Sequence, residues 1–282
     1  MKVLLLGSTG YLGKNIANKL VEDGHYVICV VRSTSDCSGL DASNSAILLI
    51  KNSISQIETT IKEQNIDWVI NAVCTYKPND SLYGDMLESN VTFPLNVLNL
   101  AIKYNVKFYM TIGTGLPDDF NVYSFTKHEF AEFGRFFSKK NNINFLNLKL
   151  EMFYGGLYEP SSRFLKSCLN RLRETEPLNL TEGLQKRDVI RVEDVVGIIA
   201  LLVKKKNITG YMELSVGTGE SHSIKDIVVY MKEKCGSSST LNFGAVKTRV
   251  GEPDTCANIN WIDDLGYKMQ YSFWDGLKYY CE

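Results

Sequence analysis

Short runs of β-branched and aliphatic residues recur through the first half of the chain, separated by longer stretches whose apolar positions return at helical spacing. KVLLLG from Lys2, HYVICVV from His25, AILLI from Ala46, DWVINAV from Asp67, KFYMTIG from Lys107 and NFLNLKL from Asn144 read as six buried strands. Segments beginning near Leu12, Ser55, Asp85 and Val122 are long enough to be crossover helices. The alternation predicts an α/β fold, a doubly wound parallel sheet over residues 1–150 with a ligand crevice at the carboxyl ends of its strands. After residue 150 the rhythm breaks: glycines, prolines and short elements mix through 155–184, and a strand–helix pair follows at 188–204. This half predicts a smaller, discontinuous α/β substrate lobe in 151–282, with 188–204 returning to the first domain.

Composition narrows the function. The chain has 282 residues, 44% hydrophobic and 22% charged, enough for a core that needs no metal or disulfide staple. A formal charge of -1 and a pI near 6.4 leave no basic stripe, so neither nucleic acid nor a membrane surface is an expected partner. The apolar run in MKVLLLG is too short for a signal peptide or a span and reads as the first strand, which points to a cytoplasmic protein. Seven scattered cysteines without a Cys-x-x-Cys spacing read as reduced, mostly buried thiols. His25, His128 and His222 are not spaced with one another as ligands, and no metal is expected.

The chemistry begins at GSTGYLG between the first strand and first helix. Gly7, Gly10 and Gly13 stand where the backbone must turn, approach a pyrophosphate and pack helix against strand, with Thr9, Tyr11 and Leu12 opening the helix. The second strand ends in Arg32 and Ser33, where an NAD-selective site would carry an acid for the ribose hydroxyls. A guanidinium and a hydroxyl suit the extra phosphate of NADP. Thr114 ends the fifth strand, and Tyr123 and Lys127 follow four residues apart on one helix face. A neighbouring ammonium would lower the tyrosine pKa and suit it to proton transfer. Thr75, Tyr76 and Lys77 follow the fourth strand, where a crevice would bring them to substrate or cofactor.

The order of these pieces, with Asn90 in ESN, LKLEMFYGG, LTEGLQKRDVIRVEDV (Gln185, Arg187, Asp188, Asp194), ELSVGTGE and RVGEP around Arg249, resembles the extended short-chain dehydrogenase/reductase family, the NAD-dependent epimerases and dehydratases, over nearly the whole chain. The resemblance implies a Rossmann domain binding NADP(H) and a second lobe binding a nucleotide-linked sugar. It implies that Thr114, Tyr123 and Lys127 are catalytic, that Arg187 and Arg249 meet the ribose or diphosphate of the sugar nucleotide, that Asn90 fixes backbone and water, and that the chain is a homodimer paired through the Asn90 and Tyr123 helices. Dehydratases of the family place an Asp-Glu pair directly after the threonine, whereas Gly115 and Leu116 stand here. An NAD-retaining 4-epimerase would carry the acid missing at Arg32. The blocks CLN, LTEGLQKRD, VGTG and SSSTLNFGA are similar to the branch that reduces the 4-keto group of CDP-linked 3,6-dideoxyhexoses for bacterial surface polysaccharide. Met152 departs from that branch's pattern and leaves the sugar pocket and the stereochemistry open. A dTDP-4-keto-6-deoxyhexose reductase, an NDP-sugar 4-epimerase and a non-catalytic NADP sensor are the alternatives; retention of Thr114, Tyr123 and Lys127 argues against the last.

Overall fold

A computed structural model describes residues 1–41, 43–76 and 83–282. In chain order, β1 (Lys2–Leu6), α1 (Tyr11–Glu22), β2 (Tyr26–Val31), β3 (Ile47–Lys51), α2 (Ile54–Gln64) and β4 (Trp68–Asn71) lead to α3 (Gly84–Leu87). A π-helical turn, Glu88–Thr92, joins α3 to α4 (Phe93–Lys103), and β5 (Phe108–Thr114), α5 (Val122–Lys140) and β6 (Asn144–Leu150) follow. The remaining elements are β7 (Met152–Tyr154), α6 (Phe164–Arg173), β8 (Leu178–Asn179), β9 (Lys186–Arg187), β10 (Val189–Arg191), α7 (Val192–Lys205), β11 (Tyr211–Val216), β12 (His222–Ser223), α8 (Ile224–Lys234), β13 (Leu241–Asn242), α9 (Asn260–Leu265) and α10 (Phe273–Cys281). They form two compact units, Met1–Lys149 with Val196–Leu214, and Leu150–Val195 with Ser215–Glu282.

The first unit is built on a seven-stranded sheet in the order β11-β6-β5-β4-β1-β2-β3. β1 pairs parallel with β2 and with β4, so that Leu6 lies opposite both Val30 and Asn71. The carboxyl ends of three strands are therefore level, at the point where strand order reverses, and this is where a doubly wound sheet opens a crevice. β4 is buried at every residue, as expected of a central strand covered on both faces. Leu4, Ile28, Val69, Val97 and Phe145 belong to one core that also takes in α2, α4 and α5. Gly134 brings α5 close to the sheet: a Cβ there would stand 2.2 Å from the Phe145 ring.

Two expectations change. A seventh strand, β11, joins the sheet beside β6; its ELSV run alternates too weakly in polarity to stand out as a strand. The segment returning to the first unit is 196–214 rather than 188–204, because β10 pairs with β7 in the second unit, Val189 against Met152. The thiols also differ from the expected pattern: Cys29, Cys168 and Cys281 are buried, Cys37, Cys74 and Cys235 are half-buried and Cys256 is exposed.

The second unit has two-stranded pairs in place of a continuous sheet: β7 with β10, β9 with β12, and β8 with β13. Its core is Leu169, Ile227, Val228, Met231, Phe273 and Leu277 from α6, α8 and α10. Buried carboxylates tie the short elements together. Asp188 accepts the backbone N–H of Thr218 at 2.8 Å, of Gly219 at 3.0 Å and of Ala257 at 3.2 Å, and the Thr218 hydroxyl at 2.7 Å. Asp194 accepts the Tyr267 hydroxyl at 2.9 Å and the N–H groups of Gln270 and Tyr271.

Candidate active site

The phosphate turn is a cradle that side chains would fill. Gly7 has φ +74°, and a Cβ on it would lie 2.7 Å from the Ala72 carbonyl carbon; a Cβ on Gly13 would lie 2.0 Å from the Gly7 oxygen. Only glycine permits that approach of β1, β4 and α1. Gly10 is the N-cap of α1 with no side-chain cap, and the first turn carries no acid, so the positive end of the helix faces outward uncompensated. Beside the turn lies a cavity of about 330 Å³ whose walls include Gly7, Thr9, Gly10, Arg32, Ala72 and Thr75.

One end of this cavity is built from the loop after β2. Arg32 lines it and, among the described residues, has no carboxylate partner. Ser35 and Asn52 line it too, and the Ser35 hydroxyl is buried without a hydrogen-bond partner. The nearest acid of the loop, Asp36, is turned to Ser38 at 2.6 Å and to Lys14 at 3.2 Å, which hold its carboxyl down at about 2. A free guanidinium beside an orphaned hydroxyl fits an anionic group, and the glycine cradle fits a dinucleotide pyrophosphate. Ser33 is exposed and does not line the cavity.

Beyond the carboxyl ends of β4 and β5 the reactive side chains converge. The Asn121 side chain accepts the N–H of Ser124 at 2.8 Å and the Ser124 hydroxyl accepts that of Asn121 at 3.2 Å, a reciprocal cap that sets the first turn of α5 and with it Tyr123. Thr114 is buried and accepts the Leu116 N–H at 3.2 Å. Lys127 is buried and donates to the Val73 carbonyl at 3.4 Å. The electrostatics run opposite to the sequence expectation. Burial, then the neighbouring Tyr76 and Cys74, push the Tyr123 phenol well above its ordinary value. Burial pulls the Lys127 ammonium down. In this site desolvation outweighs the ammonium's pull, because one turn of helix places the lysine on the tyrosine's face without placing its charge on the hydroxyl.

Asn90 sits in the π-helical turn, buried, with its amide committed: it accepts the Thr75 N–H at 2.9 Å and donates to the Thr75 carbonyl at 3.1 Å and the Thr126 hydroxyl at 3.0 Å. A π turn inserted in a helix is a common mark of a site under functional constraint. Asn90 thus clamps the loop after β4 to α5, and no donor of its amide is left for a substrate. Tyr76 is exposed, its ring centroid 4.7 Å from that of Tyr123, while Lys77 lies outside the described residues.

The remaining candidates lie in the second unit. Arg187 is buried and donates to the Lys186 carbonyl at 2.8 Å, to Glu252 at 2.8 Å and to the Pro253 carbonyl, while Arg249 is exposed three residues before Glu252. Met152 begins β7 and packs on the second unit's core. Tyr11 and Leu12 open α1, where the first backbone N–H groups have no partner within the helix, and the Leu12 side chain is buried. Sequence reasoning missed Ser35, Asn52 and Cys74. Cys74 was within reach, since it directly precedes Thr75 at the same strand end; Ser35 and Asn52 needed the loop geometry. Among the described residues no helix is long and apolar enough to cross a membrane, and no group of three or more His, Cys, Asp or Glu gathers as a metal site.

Residues 3–217 match the NAD dependent epimerase/dehydratase family. The chain is 30% identical to a CDP-abequose synthase from Salmonella typhimurium, over 98% of this chain and 96% of that one. It is 20% identical to a putative UDP-glucose 4-epimerase from Methanocaldococcus jannaschii, over 98% and 96%. Among solved structures it is similar to the UDP-glucose 4-epimerase of Thermotoga maritima with UDP-glucose, with TM-score 0.85, 21% identity and 99% and 96% of the two chains covered. It is also similar to a dTDP-glucose 4,6-dehydratase from Bacillus anthracis in complex with NAD, with TM-score 0.85, 16% identity and 99% and 94% covered.

Proposed function

The chain belongs to the NAD-dependent epimerase/dehydratase family of enzymes, and from that premise we propose that it is an NADPH-dependent ketoreductase acting on the 4-keto group of a nucleotide-linked deoxyhexose, specifically CDP-4-dehydro-3,6-dideoxy-D-glucose. The observation that carries the reading is the cavity beside the glycine turn, with Arg32 and the orphaned Ser35 hydroxyl in its wall and Val73 of the same wall accepting from buried Lys127, one turn after Tyr123 on α5. Reduction of a ketone needs a proton donor there, and a phenol raised above its ordinary value is protonated at neutral pH.

When bound, the dihydronicotinamide supplies a hydride to the carbonyl carbon and is oxidised. Thr114 orients the carbonyl oxygen by hydrogen bond. As the carbonyl π pair collapses onto that oxygen, the Tyr123 hydroxyl gives up its proton to it and is left as a phenolate. Lys127, one turn on, is a proton source for restoring the phenol. Gly7, Thr9, Gly10 and the N–H groups of Tyr11 and Leu12 hold the pyrophosphate. Arg32 and Ser35 hold the 2'-phosphate that distinguishes NADP: the guanidinium is free for it, and the loop's acids are occupied, Asp36 with Lys14 and Asp41 with Ser43. Thr75 and Tyr76 meet the sugar, and Arg187 and Arg249 the nucleotide, Arg187 by exchanging Glu252 for phosphate. Surface-polysaccharide precursor synthesis in the cytoplasm is part of the same reading.

The chain pairs with a second copy through α5. Phe125, Phe133 and Phe136 are exposed on one of its faces, and a groove of about 460 Å³ there is rimmed by Glu129, Glu132, Arg135 and Lys139. An apolar stripe with mixed charges at its rim suits a symmetric interface, and sedimentation at increasing concentration checks it.

The test of the activity offers a CDP-4-keto-3,6-dideoxyhexose and a dTDP-4-keto-6-deoxyhexose separately with NADPH, following cofactor absorbance and the product's configuration. Consumption with the CDP sugar is expected. Consumption with the dTDP sugar alone would keep the ketoreductase and change the substrate. Interconversion of the C4 hydroxyl without net cofactor consumption would make the protein a 4-epimerase, and cofactor binding without either reaction a sensor.

A further inference from the structure

Between two anchored points of the second unit runs a short exposed strap. At one end the Val246 N–H donates to the Leu180 carbonyl at 3.0 Å. At the other, Asp254 accepts the Lys186 N–H at 2.7 Å and the Thr255 N–H donates to the Lys186 carbonyl at 3.1 Å. Arg249 and Val250 stand exposed at the tip, Val250 with 95% of its surface in water, and Gly244 and Gly251 flank them at φ +82° and +71°. A Cβ on either glycine would meet nothing within 4 Å, so both positions lie in the open. Glycine enters and leaves such angles without strain, which is what a hinge requires.

Arg187 holds the strap down between those anchors. Its Nη1 donates to the Lys186 and Pro253 carbonyls, which uses both hydrogens of that nitrogen and fixes the guanidinium. Its Nη2 donates to Glu252 at 2.8 Å, with 7% of the Arg187 side chain and 16% of the Glu252 side chain exposed. A carboxylate and a phosphate offer a guanidinium the same charge sign and the same pair of acceptor oxygens. We propose that Glu252 is an intramolecular stand-in for the diphosphate of the substrate: it occupies Arg187 until a nucleoside diphosphate displaces it, and the strap it held then closes Arg249 and Val250 over the nucleotide. The more highly charged diphosphate wins the exchange, and closure removes the exposed Val250 side chain from water. Until then the tethered carboxylate, present at high effective concentration, lowers the apparent affinity by the fraction of molecules in which Arg187 is open. The proposal rests on the reading that a nucleoside diphosphate meets Arg187; it needs neither the ketoreductase chemistry nor the cofactor.

The experiment is isothermal titration calorimetry of CDP, dTDP and cytidine on the full chain. Glu252→Gln keeps a neutral acceptor for Arg187 and removes the competing charge. It is expected to tighten whichever nucleoside diphosphate binds by about fivefold or more, while cytidine, which has no phosphate, stays within about twofold. Glu252→Asp, one methylene shorter, should tighten the diphosphate by a smaller, resolvable factor and carries the test if the glutamine variant does not fold. Unchanged or weaker diphosphate binding in a folded variant means that Glu252 braces the loop or touches the ligand itself, and overturns the proposal. Equal tightening of cytidine overturns it too, because the gain would not come from the phosphates. Closure is read in the wild type by trypsin, which cuts after Lys247 and Arg249 on the strap: a saturating diphosphate should slow both cuts by about fivefold or more, and unslowed cutting overturns the closure. Binding of neither diphosphate, in wild type or variant, overturns the whole. Because no readout needs turnover, failure of the ketoreductase reading would appear as absent NADPH consumption alongside an intact gain in diphosphate affinity.

Discussion

In the first unit Arg32 and Ser35 face a cavity with donors to spare, whereas in the second unit Arg187, Asp188 and Asp194 commit their hydrogen-bonding groups to their own backbone and to Glu252, Tyr267 and Thr218. The difference follows from how each unit is held together. A seven-stranded parallel sheet satisfies its backbone within itself and packs on an aliphatic core, which leaves its strand ends free to carry chemistry. Two-residue and three-residue strands satisfy little, so the second unit closes its loops with buried carboxylates. Arg32 thus stands open to a ligand, whereas Arg187 must first release Glu252.

The strongest test of the contrast is Tyr123→Phe. It should cost roughly a hundred to ten-thousand fold in turnover while NADPH binding, followed by cofactor fluorescence, stays within a few fold. An equal loss of binding would show the phenol to be part of the scaffold, as the second unit's polar groups are. Next in size is Asp188→Ala, which strands four donors at once; a loss of about 3 kcal/mol or more in a urea titration is expected, with the first unit's cofactor site affected only through folding. A near-neutral result would deny that buried carboxylates organise the unit.

Arg32→Ala should weaken NADPH by about ten to a hundred fold and leave NADH nearly unchanged, the worth of one charge-assisted contact to phosphate. An equal effect on both cofactors would make Arg32 a general contact and reopen the question of cofactor selectivity. The smallest effect is in pH dependence. Burial raises the carboxyls of Asp188, Asp194 and Glu159. From the ordinary values of 3.8 and 4.5 upward to the raised folded values the unfolded chain binds fewer protons, so stability falls as pH rises through that window and levels off above it. For Tyr123 the corresponding loss begins only as pH passes 10.0. Thermal melts across both windows should show an acid-side slope that Asp188→Ala flattens and an alkaline slope that Tyr123→Phe flattens.

The legible parts of this protein were those written in neighbouring residues. Six of the seven strands in the sheet, the glycine turn and the Thr114, Tyr123 and Lys127 set all lie in runs whose period or spacing carries their meaning locally. β11 escaped because half-buried ELSV lacks the continuous apolar run that marks a central strand. Arg187 could be recognised as special but not as buried on Glu252, 65 residues away.

By itself the sequence determined the doubly wound sheet, the glycine turn and the candidate set Thr114, Tyr123 and Lys127, because hydrophobic period, glycine's freedom from a Cβ and helical spacing are short-range properties of the chain. Only the tertiary structure decided that burial drives Tyr123 toward its neutral form, that Asn90 holds Thr75, and that Lys127 donates to the Val73 carbonyl. Those facts depend on desolvation and on contacts between β4, the π-helical turn and α5, whose residues meet in space from positions tens of residues apart, where no local pattern records the encounter.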